Sequence, residues 1–155
     1  MFVYRISQTK YANSLTASGI DGRWNSLNQK MIYTAGSVAL ACLENLAHKS
    51  GTSLAAGNFS LAIIEVDDNL KIEEVKIGDL ETTNPNWQSE DQYPLTQKMG
   101  DIWLDANTSA VLKVPSAIID LEYNYLLNPN HASFIGIKIV KVELFNFDSR
   151  LKGNF

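Results

Sequence analysis

The sequence predicts a single α+β domain, residues 1–155, in which mixed β-sheets are flanked by helices. Short apolar runs rich in β-branched and aromatic residues stand towards both ends of the chain, and two longer segments with helical spacing lie between them. No repeat, low-complexity tract or linker divides the chain. A length of 155 residues is enough for one domain with a full hydrophobic core.

The first strand is predicted at residues 2–6, where strand alternation places Val3 and Arg5 on one face and the three larger apolar residues on the other. An arginine there either reaches solvent or lines a polar cleft. Residues 7–30 hold few large apolar groups, so we expect a long surface connection with one helical turn near residues 11–15. Connections of this length are often functional.

The segment from residue 21 to residue 48 predicts a turn, a strand and a helix. Asp21 and Gly22 are turn residues placed directly before a bulky cationic and aromatic pair, Arg23 and Trp24. Residues 31–34 form a short run of β-formers. Ser37 is a good N-cap for a helix over residues 38–48, and a glycine at position 51 follows as a stop signal.

The second half of the chain predicts more strands and one long helix. We expect a loop at residues 51–58, a buried strand at 59–66, a short edge strand or irregular segment within 70–80, and a turn at 84–87. Pro94 favours a helix start, with a helix to about residue 106. A strand follows at 109–114, and residues 134–147 predict two strand halves joined by a bulge near Ile139. The predicted core stripe of the long helix consists of Leu95, Met99, Ile102, Trp103 and Ala106.

Composition and charge exclude several classes of function. Hydrophobic residues make up 45% and charged residues 19%, which is typical of a globular protein. The net charge of -4 and the lack of any Lys/Arg cluster argue against direct nucleic-acid binding. No apolar run approaches the roughly 20 residues of a membrane span, and the N-terminal residues lack a signal-peptide pattern. Cys42 is the only cysteine, so no internal disulfide is possible, in agreement with a cytoplasmic protein. Its position inside the predicted helix favours core packing.

Glu44 is the one acid in the predicted helix 38–48, at the edge of its apolar stripe and one turn before His48. A surface glutamate that pairs loosely with His48 or Lys49 is the ordinary interpretation. The other interpretation is a catalytic carboxylate. Only two histidines and one cysteine occur, so no metal site is expected, and both a phosphate-binding glycine loop with lysine and a serine-hydrolase elbow are missing.

The remaining polar and aromatic residues suit cleavage of a dinucleotide such as NAD. Arg5 and Arg23 offer guanidinium groups that bind phosphates through paired hydrogen bonds, and Tyr33 offers a face for a cationic pyridinium ring. Nicotinamide leaves as a neutral molecule, so no acid is needed to protonate it. A single carboxylate, Glu44, is then sufficient, whereas an ordinary glycosidase needs two.

In the order and spacing of several short blocks, the chain resembles the RES domain, the toxin component of Xre-RES toxin-antitoxin pairs, which is named for an Arg, a Glu and a Ser. The match covers nearly the whole chain. The blocks begin at Tyr4-Arg5, Gly22-Arg23-Trp24-Asn25, Tyr33-Thr34, Ala39 (through Glu44 to His48), Val114-Pro115-Ser116, Asn124 (through Pro129 to His131) and Asp148-Ser149-Arg150-Leu151.

The resemblance implies a fold similar to ADP-ribosyltransferases, NAD as the substrate, and inhibition by an Xre-like helix-turn-helix antitoxin. By this resemblance, Arg23, Glu44 and Ser116 are the Arg, Glu and Ser for which the family is named. Arg5 and Tyr33 are further residues of the pocket. Catalysis then falls to Glu44, phosphate or ribose contacts to the two arginines, stacking to Tyr33, and a hydrogen bond with ribose or nicotinamide to Ser116.

Two positions depart from the family pattern: Asp21 stands where a glycine is frequent, and Asn130 where a basic residue is frequent. His131 either lies near the pocket or completes the hydrogen bonds of its own loop.

Three functions remain open on the sequence. The first is a toxin that hydrolyses or phosphorolyses NAD and arrests growth. The second is a mono-ADP-ribosyltransferase that modifies a protein. The third is a non-catalytic nucleotide-binding partner of a regulator. In the first case we expect a hetero-oligomer with the antitoxin, and the candidate contact regions are residues 7–30 and 148–155.

Overall fold

The computed structural model of the chain describes residues 1–49, 53–54 and 57–152. Its strands are β1 (Phe2–Gln8), β2 (Ile32–Ala35), β3 (Phe59–Val66), β4 (Ile72–Glu74), β5 (Val111–Pro115), β6 (Tyr123–Leu127) and β7 (Ile137–Phe145). Its α-helices are α1 (Val38–His48), α2 (Ile77–Thr83) and α3 (Tyr93–Ala106). Short 3-10 turns lie at Thr9–Tyr11, Glu90–Gln92, Ala132–Gly136 and Ser149–Lys152.

The seven strands form one mixed sheet in the order β4-β5-β6-β2-β1-β3-β7. β4 and β5 run parallel, and the other neighbouring pairs run antiparallel. This arrangement confirms the predicted α+β class, with a single sheet among the described residues. None of the helices in that part of the chain is both long and apolar enough to span a bilayer.

Strand β1 divides its side chains between two faces of the sheet, as its alternation predicts. Val3 is fully buried in a cluster with Ile32 and Ile64, whereas Tyr4 and Ile6 pack in a different cluster with Leu40. Because Leu40 belongs to α1, this helix covers the face of Tyr4 and Ile6. Arg5 shares its face with Val3 and therefore lies on the side of the sheet opposite α1.

Helix α1 begins where the sequence predicts. The Ser37 hydroxyl accepts a hydrogen bond from the backbone N–H of Leu40 at 3.1 Å, which is an N-cap. Leu40 and Ala41 are buried against the sheet, and Cys42 is half-buried beside them, as core packing predicts. The helix ends at His48. The predicted stop at position 51 and part of the predicted loop at 51–58 lie outside the described residues.

Helix α3 starts at Tyr93 with Pro94 in its first turn, and it buries Thr96, Gly100 and Trp103. The predicted core stripe is wrong for Ile102, which is 59% exposed, and for Ala106, which is exposed. Gly100 packs against the backbone of Trp24, so the face of α3 that carries Gly100, and not the one that carries Ile102, points inward.

Two elements differ from their predictions because tertiary contacts outweigh weak local signals. β6 is absent from the predicted set, although it lies between β2 and β5 inside the sheet. Within residues 70–80, the predicted edge strand is confirmed as β4, but α2 follows it. The predicted bulge in β7 is confirmed: Ile63 pairs with Lys141 and Ile64 pairs with Ile139, which leaves Val140 as the extra residue.

Candidate active site

A tight turn presents Arg23 and Trp24 above strand β2. The N–H of Gly22 donates to the carbonyl of Asn25 at 3.0 Å and closes the turn. A Cβ atom at Gly22 would lie 2.7 Å from the hydroxyl of Tyr33, so this position has room only for glycine. The sequence signal for a turn at residues 21–22 therefore has a steric reason in the folded protein.

Tyr33 of β2 supports this turn from below. Its hydroxyl donates to Asn25 Oδ1 at 2.6 Å and accepts from the N–H of Trp24 at 2.9 Å. Burial raises the pKa of Tyr33 far above its usual value, and the hydrogen bond from Trp24 opposes the rise only in part. Because 36% of the side chain remains exposed, part of the ring is still open to solvent.

Helix α3 fixes the same turn from the side. Thr96 Oγ1 donates to the carbonyl of Arg23 at 2.5 Å, and Gln97 Nε2 donates to the carbonyl of Gly22 at 2.9 Å. At Gly100 the two backbones come so close that a Cβ atom would lie 1.8 Å from the carbonyl oxygen of Trp24. The backbone that carries Arg23 is therefore held by β2 and α3 together.

The guanidinium of Arg23 reaches across to the segment that precedes α3. Its Nη1 donates to the carbonyl of Trp87 at 3.0 Å, with a longer contact of 3.5 Å to that of Ser89, and its Nη2 donates to the carbonyl of Gln88 at 2.7 Å. The guanidinium also packs over the ring of Tyr93, 4.6 Å from the ring centroid. Arg23 thus joins the turn to residues 87–93.

Glu44 projects from α1 into a set of three polar partners. Its Oε1 accepts from Asn124 Nδ2 at 2.6 Å and from the hydroxyl of Ser116 at 3.4 Å. Its Oε2 lies 3.6 Å from Nε2 of His48, one helical turn on. The side chain of Glu44 is 25% exposed. Pairing with His48, the ordinary interpretation, therefore accounts for the contact of Oε2 but leaves the two contacts of Oε1 unexplained.

The electrostatics of the site keep Glu44 ionised. Burial raises its pKa, but the contact with His48, the hydrogen bond from Asn124 and the proximity of Arg23 outweigh the burial. The pKa of Glu44 consequently lies below its usual value. At neutral pH the site presents a carboxylate.

A cavity of about 190 Å³ opens between Glu44 and Arg23. Charged, polar and aromatic side chains dominate its lining, and the apolar remainder comes from α1 and the turn after β5. The lining residues are Arg23, Glu44, Ala47, His48, Gln88, Glu90, Tyr93, Ala117 and Ile118. The cavity therefore combines an anionic carboxylate, a guanidinium and an aromatic ring.

The five residues that the sequence assigns to the site are not all in one place. Arg23 and Glu44 line the cavity, and Ser116 contacts Glu44 from a fully buried position. Tyr33 lies under the turn of Arg23. Arg5 lies on the other face of the sheet, where burial lowers its pKa and its guanidinium donates to the carbonyl of Ser14 at 3.3 Å. Their roles towards a bound nucleotide stay predictions.

His131 completes the hydrogen bonds of its own loop. Its Nδ1 accepts from the N–H of Ser133 at 3.0 Å and caps the 3-10 turn there. The neighbouring Asn130 donates its N–H to Asn128 Oδ1 at 3.0 Å. Of the two interpretations of His131, the contacts support the local one.

Sequence reasoning missed Asn124 and the residues of the segment before α3. Asn124 could have been found, because asparagine is unfavourable inside a strand and its neighbours in the run Tyr-Asn-Tyr-Leu-Leu are apolar or aromatic. Gln88, Glu90 and Tyr93 carry no such signal. They reach the cavity only because Arg23 and α3 hold their segment there.

Comparison with known proteins supports the assignment of the chain to a family. The RES domain profile matches residues 2–148. A protein named Toxin Res from Yersinia enterocolitica is 38% identical over 157 residues, covering 98% of this chain and 100% of that protein. A protein named Prs ADP-ribosylating toxin from Sphingobium sp. is 33% identical over 149 residues, covering 94% of this chain and 91% of that protein.

A solved structure shares the fold. The chain superposes with a TM-score of 0.76 on a chain of the M. tuberculosis MbcT-MbcA toxin-antitoxin complex, covering 97% of this chain and 86% of that one at 16% identity. The neighbour and this chain therefore share one α+β fold at low sequence identity. With a family profile that spans nearly all of its length and a close relative in Yersinia, this chain belongs to the RES domain family.

Proposed function

We propose that the chain is the toxin of a toxin-antitoxin pair and that it consumes NAD by cleaving the bond between nicotinamide and ribose. The observation that carries the proposal is the ionised carboxylate of Glu44 in a small cavity shared with Arg23 and the ring of Tyr93. Similarity over the whole chain to proteins named toxins supports the biological role.

The size of the cavity suits one end of the dinucleotide. Sites that enclose drug-sized ligands measure roughly 300–1,000 Å³, whereas this cavity measures about 190 Å³. The nicotinamide ring and its ribose would occupy it, and the phosphates and adenosine would extend beyond its mouth. Tyr93 lines the cavity and would face a pyridinium ring there, whereas a stacking role for Tyr33 requires the ring to reach the underside of the Arg23 turn.

Cleavage would proceed by heterolysis of the bond between C1′ of the ribose and N1 of the ring. The electron pair goes to N1, which neutralises the pyridinium, and the ribose becomes an oxocarbenium cation. A carboxylate about 4 Å away stabilises such a cation by about 4 kcal/mol at an effective dielectric constant near 20. If the stabilisation arises only in the transition state, it corresponds to roughly a thousandfold in rate. Water or phosphate then adds at C1′ and releases a proton.

Arg23 would hold a phosphate at the mouth of the cavity. Its three acceptors in this structure are neutral carbonyls of residues 87–89. A phosphate adds a negative charge that these carbonyls lack, so it would compete well for the same donors. Arg5 lies on the other face of the sheet, and its phosphate role requires substrate to extend around the sheet edge.

A direct assay separates the enzymatic proposal from simple binding. Purified protein is incubated with NAD, and nicotinamide is resolved by chromatography. We expect release by the wild type and a loss of at least a hundredfold in Glu44→Gln, with full activity in Glu81→Gln, a matched change at an exposed position on α2. No release by the wild type would reject NAD cleavage, and equal release by Glu44→Gln would reject Glu44 as the catalytic carboxylate. Calorimetric binding without product would select the non-catalytic alternative.

A second candidate, mono-ADP-ribosylation of a protein, is favoured by the name of the Sphingobium relative, an ADP-ribosylating toxin. Both candidates use the same bond cleavage and differ only in the acceptor at C1′. NAD labelled in its adenylate part distinguishes them, because label would appear on a protein in the second case and on free ADP-ribose or its phosphate in the first.

An antitoxin completes the proposal. A chain that consumes NAD must be blocked in its own cell, and the solved neighbour is part of a toxin-antitoxin complex. We expect an Xre-like helix-turn-helix protein that forms a hetero-oligomer with this chain. Co-expression with the product of the adjacent gene should restore growth and co-purify both proteins, and growth restored without co-purification would count against a direct complex.

A further inference from the structure

We propose that Asn124, with Ser116, is a positioning residue that fixes Oε1 of Glu44 and leaves Oε2 as the oxygen that faces the reacting carbon. The inference deepens the proposed function and rests on it for its catalytic part. Asn124 and Ser116 together form the Glu44 clamp.

The two oxygens of Glu44 have different surroundings. Oε1 receives both donors of the Glu44 clamp, at 2.6 Å from Asn124 Nδ2 and 3.4 Å from Ser116 Oγ. Oε2 accepts from neither of these donors, and His48 Nε2 lies 3.6 Å from it, beyond normal hydrogen-bond length. Since an oxygen that already accepts a short bond from an amide is poorer in available lone pairs, Oε2 is the freer of the two.

Strands on both sides fix the backbone of Asn124. It lies in β6, inside the sheet, opposite Ala35 of β2 and Val114 of β5. Glu44 is the one hydrogen-bond partner recorded for its amide among the described residues. The amide nitrogen must face Glu44, because an ionised carboxylate has no proton to donate.

An asparagine in a strand whose register neighbours are Ala35 and Val114 is unfavourable for folding alone. Such local conflicts concentrate at functional sites.

Ser116 is the second member of the Glu44 clamp and is fully buried. Its hydroxyl oxygen accepts from the N–H groups of Ile118 and Ile119, at 3.0 and 3.2 Å. Its own proton is therefore directed to Glu44. Ser116, which follows the last residue of β5, therefore donates its hydroxyl proton to the Glu44 carboxylate.

The Glu44 clamp also biases the ionisation of Glu44. The other charged or titratable groups that line the cavity are His48 from α1, Arg23 from the turn above β2, Glu90 from the segment before α3 and Tyr93 at the start of α3. The hydrogen bond from Asn124 lowers the pKa of Glu44, whereas burial raises it, so removing the amide donor raises this pKa.

The test compares Asn124→Ala, Asn124→Asp and the control Asn45→Ala. Asn45 is the neighbour of Glu44 on α1, and its amide donates to the carbonyls of Ile6 and Ala41 without touching Glu44. The protein is labelled with ¹³C in its glutamate carboxyls, and Glu44 is assigned by comparison with Glu44→Gln. We expect the titration midpoint of Glu44 to rise in both Asn124 variants, more in Asn124→Asp because two carboxylates then face each other, and to stay within error in Asn45→Ala.

Steady-state kinetics supply the catalytic part. For Asn124→Ala we expect kcat on NAD to fall about tenfold or more with KM changed less than threefold, and the acid limb of the pH profile to move up with the titration midpoint. Tenfold corresponds to about 1.4 kcal/mol of transition-state stabilisation. Asn45→Ala should lower thermal stability without a selective fall in kcat.

Each outcome bears on a definite statement. An unmoved Glu44 midpoint in both Asn124 variants, or an equal shift in Asn45→Ala, would overturn the clamp. A shifted midpoint with unchanged kcat would overturn its catalytic part. If the wild type releases no nicotinamide, the proposed function fails while the carboxyl titration still decides whether Asn124 acts on Glu44. Should Asn124→Ala not fold, the isosteric Asn124→Asp retains the packing and gives the same readout.

Discussion

Glu44 couples the chemistry of the site to pH through a single carboxylate. Because its folded-state pKa is depressed, its ionised form contributes stability that is fully present above the unfolded-state value of about 4.3 and is lost as pH falls through the folded-state value. We expect the difference in unfolding free energy between wild type and Glu44→Gln to shrink as the pH falls below about 5. Urea unfolding across pH measures it, and a difference that grows on acidification would contradict the sign.

Arg23 depends on the fork of its side chain as well as on its charge. Arg23→Lys keeps the charge but cannot bond the carbonyls of Trp87 and Gln88 together. We expect a stability loss of about 1 kcal/mol and a rise in KM for NAD, because the wall formed by residues 87–93 loosens. Thermal denaturation and kinetics test this, with the exposed Lys98→Arg on α3 as the control. Unchanged values in Arg23→Lys would show that charge alone matters.

At the scale of elements, the contact between α3 and the Arg23 turn depends on one missing methyl group. In Gly100→Ala the new Cβ would meet the carbonyl oxygen of Trp24 at 1.8 Å, so α3 or the turn must move. We expect a destabilisation of about 1–3 kcal/mol, the usual cost of overpacking, together with lower activity.

Gly78→Ala on α2 is the matched control for this contact. No atom lies within 4 Å of its added methyl group, and alanine is the better helix former. We therefore expect a gain of about 0.5–1 kcal/mol. Differential scanning calorimetry of both variants provides the measurement, and a Gly100→Ala protein as stable as the wild type would contradict the close approach.

The same elements show what the sequence can and cannot predict. β3, α1 and the bulge at Val140 were predictable, because periodicity, an N-cap and a phase switch are local signals. β6 and the outward position of Ile102 were not, since each depends on a neighbour distant in the chain. Family resemblance pointed to Arg23, Glu44 and Ser116. Asn124 stands out in the sequence as an asparagine among apolar and aromatic residues, but its hydrogen bond with Glu44 is made only by folding.

For the whole molecule, the sheet order predicts a gradient of local stability. β1, β2 and β6 have neighbours on both sides, whereas β4 has three residues and one neighbour. We expect amide hydrogens of β1 and β2 to exchange slowest and those of β4 to exchange far faster, because edge segments open without global unfolding. Hydrogen exchange followed by NMR tests this, and equal protection of β4 and β1 would contradict it.

The distance along the chain between Glu44 and its partners has a consequence for synthesis. Asn124 follows Glu44 by 80 positions, and Ser116 follows it by 72. A ribosome adding about 5–20 residues per second needs roughly 4–16 s to cover the 80 positions. Throughout that interval the nascent chain carries the acid without its supports. Under the proposed function, the nascent chain is inactive for those several seconds, and an antitoxin has that time to engage before the first turnover.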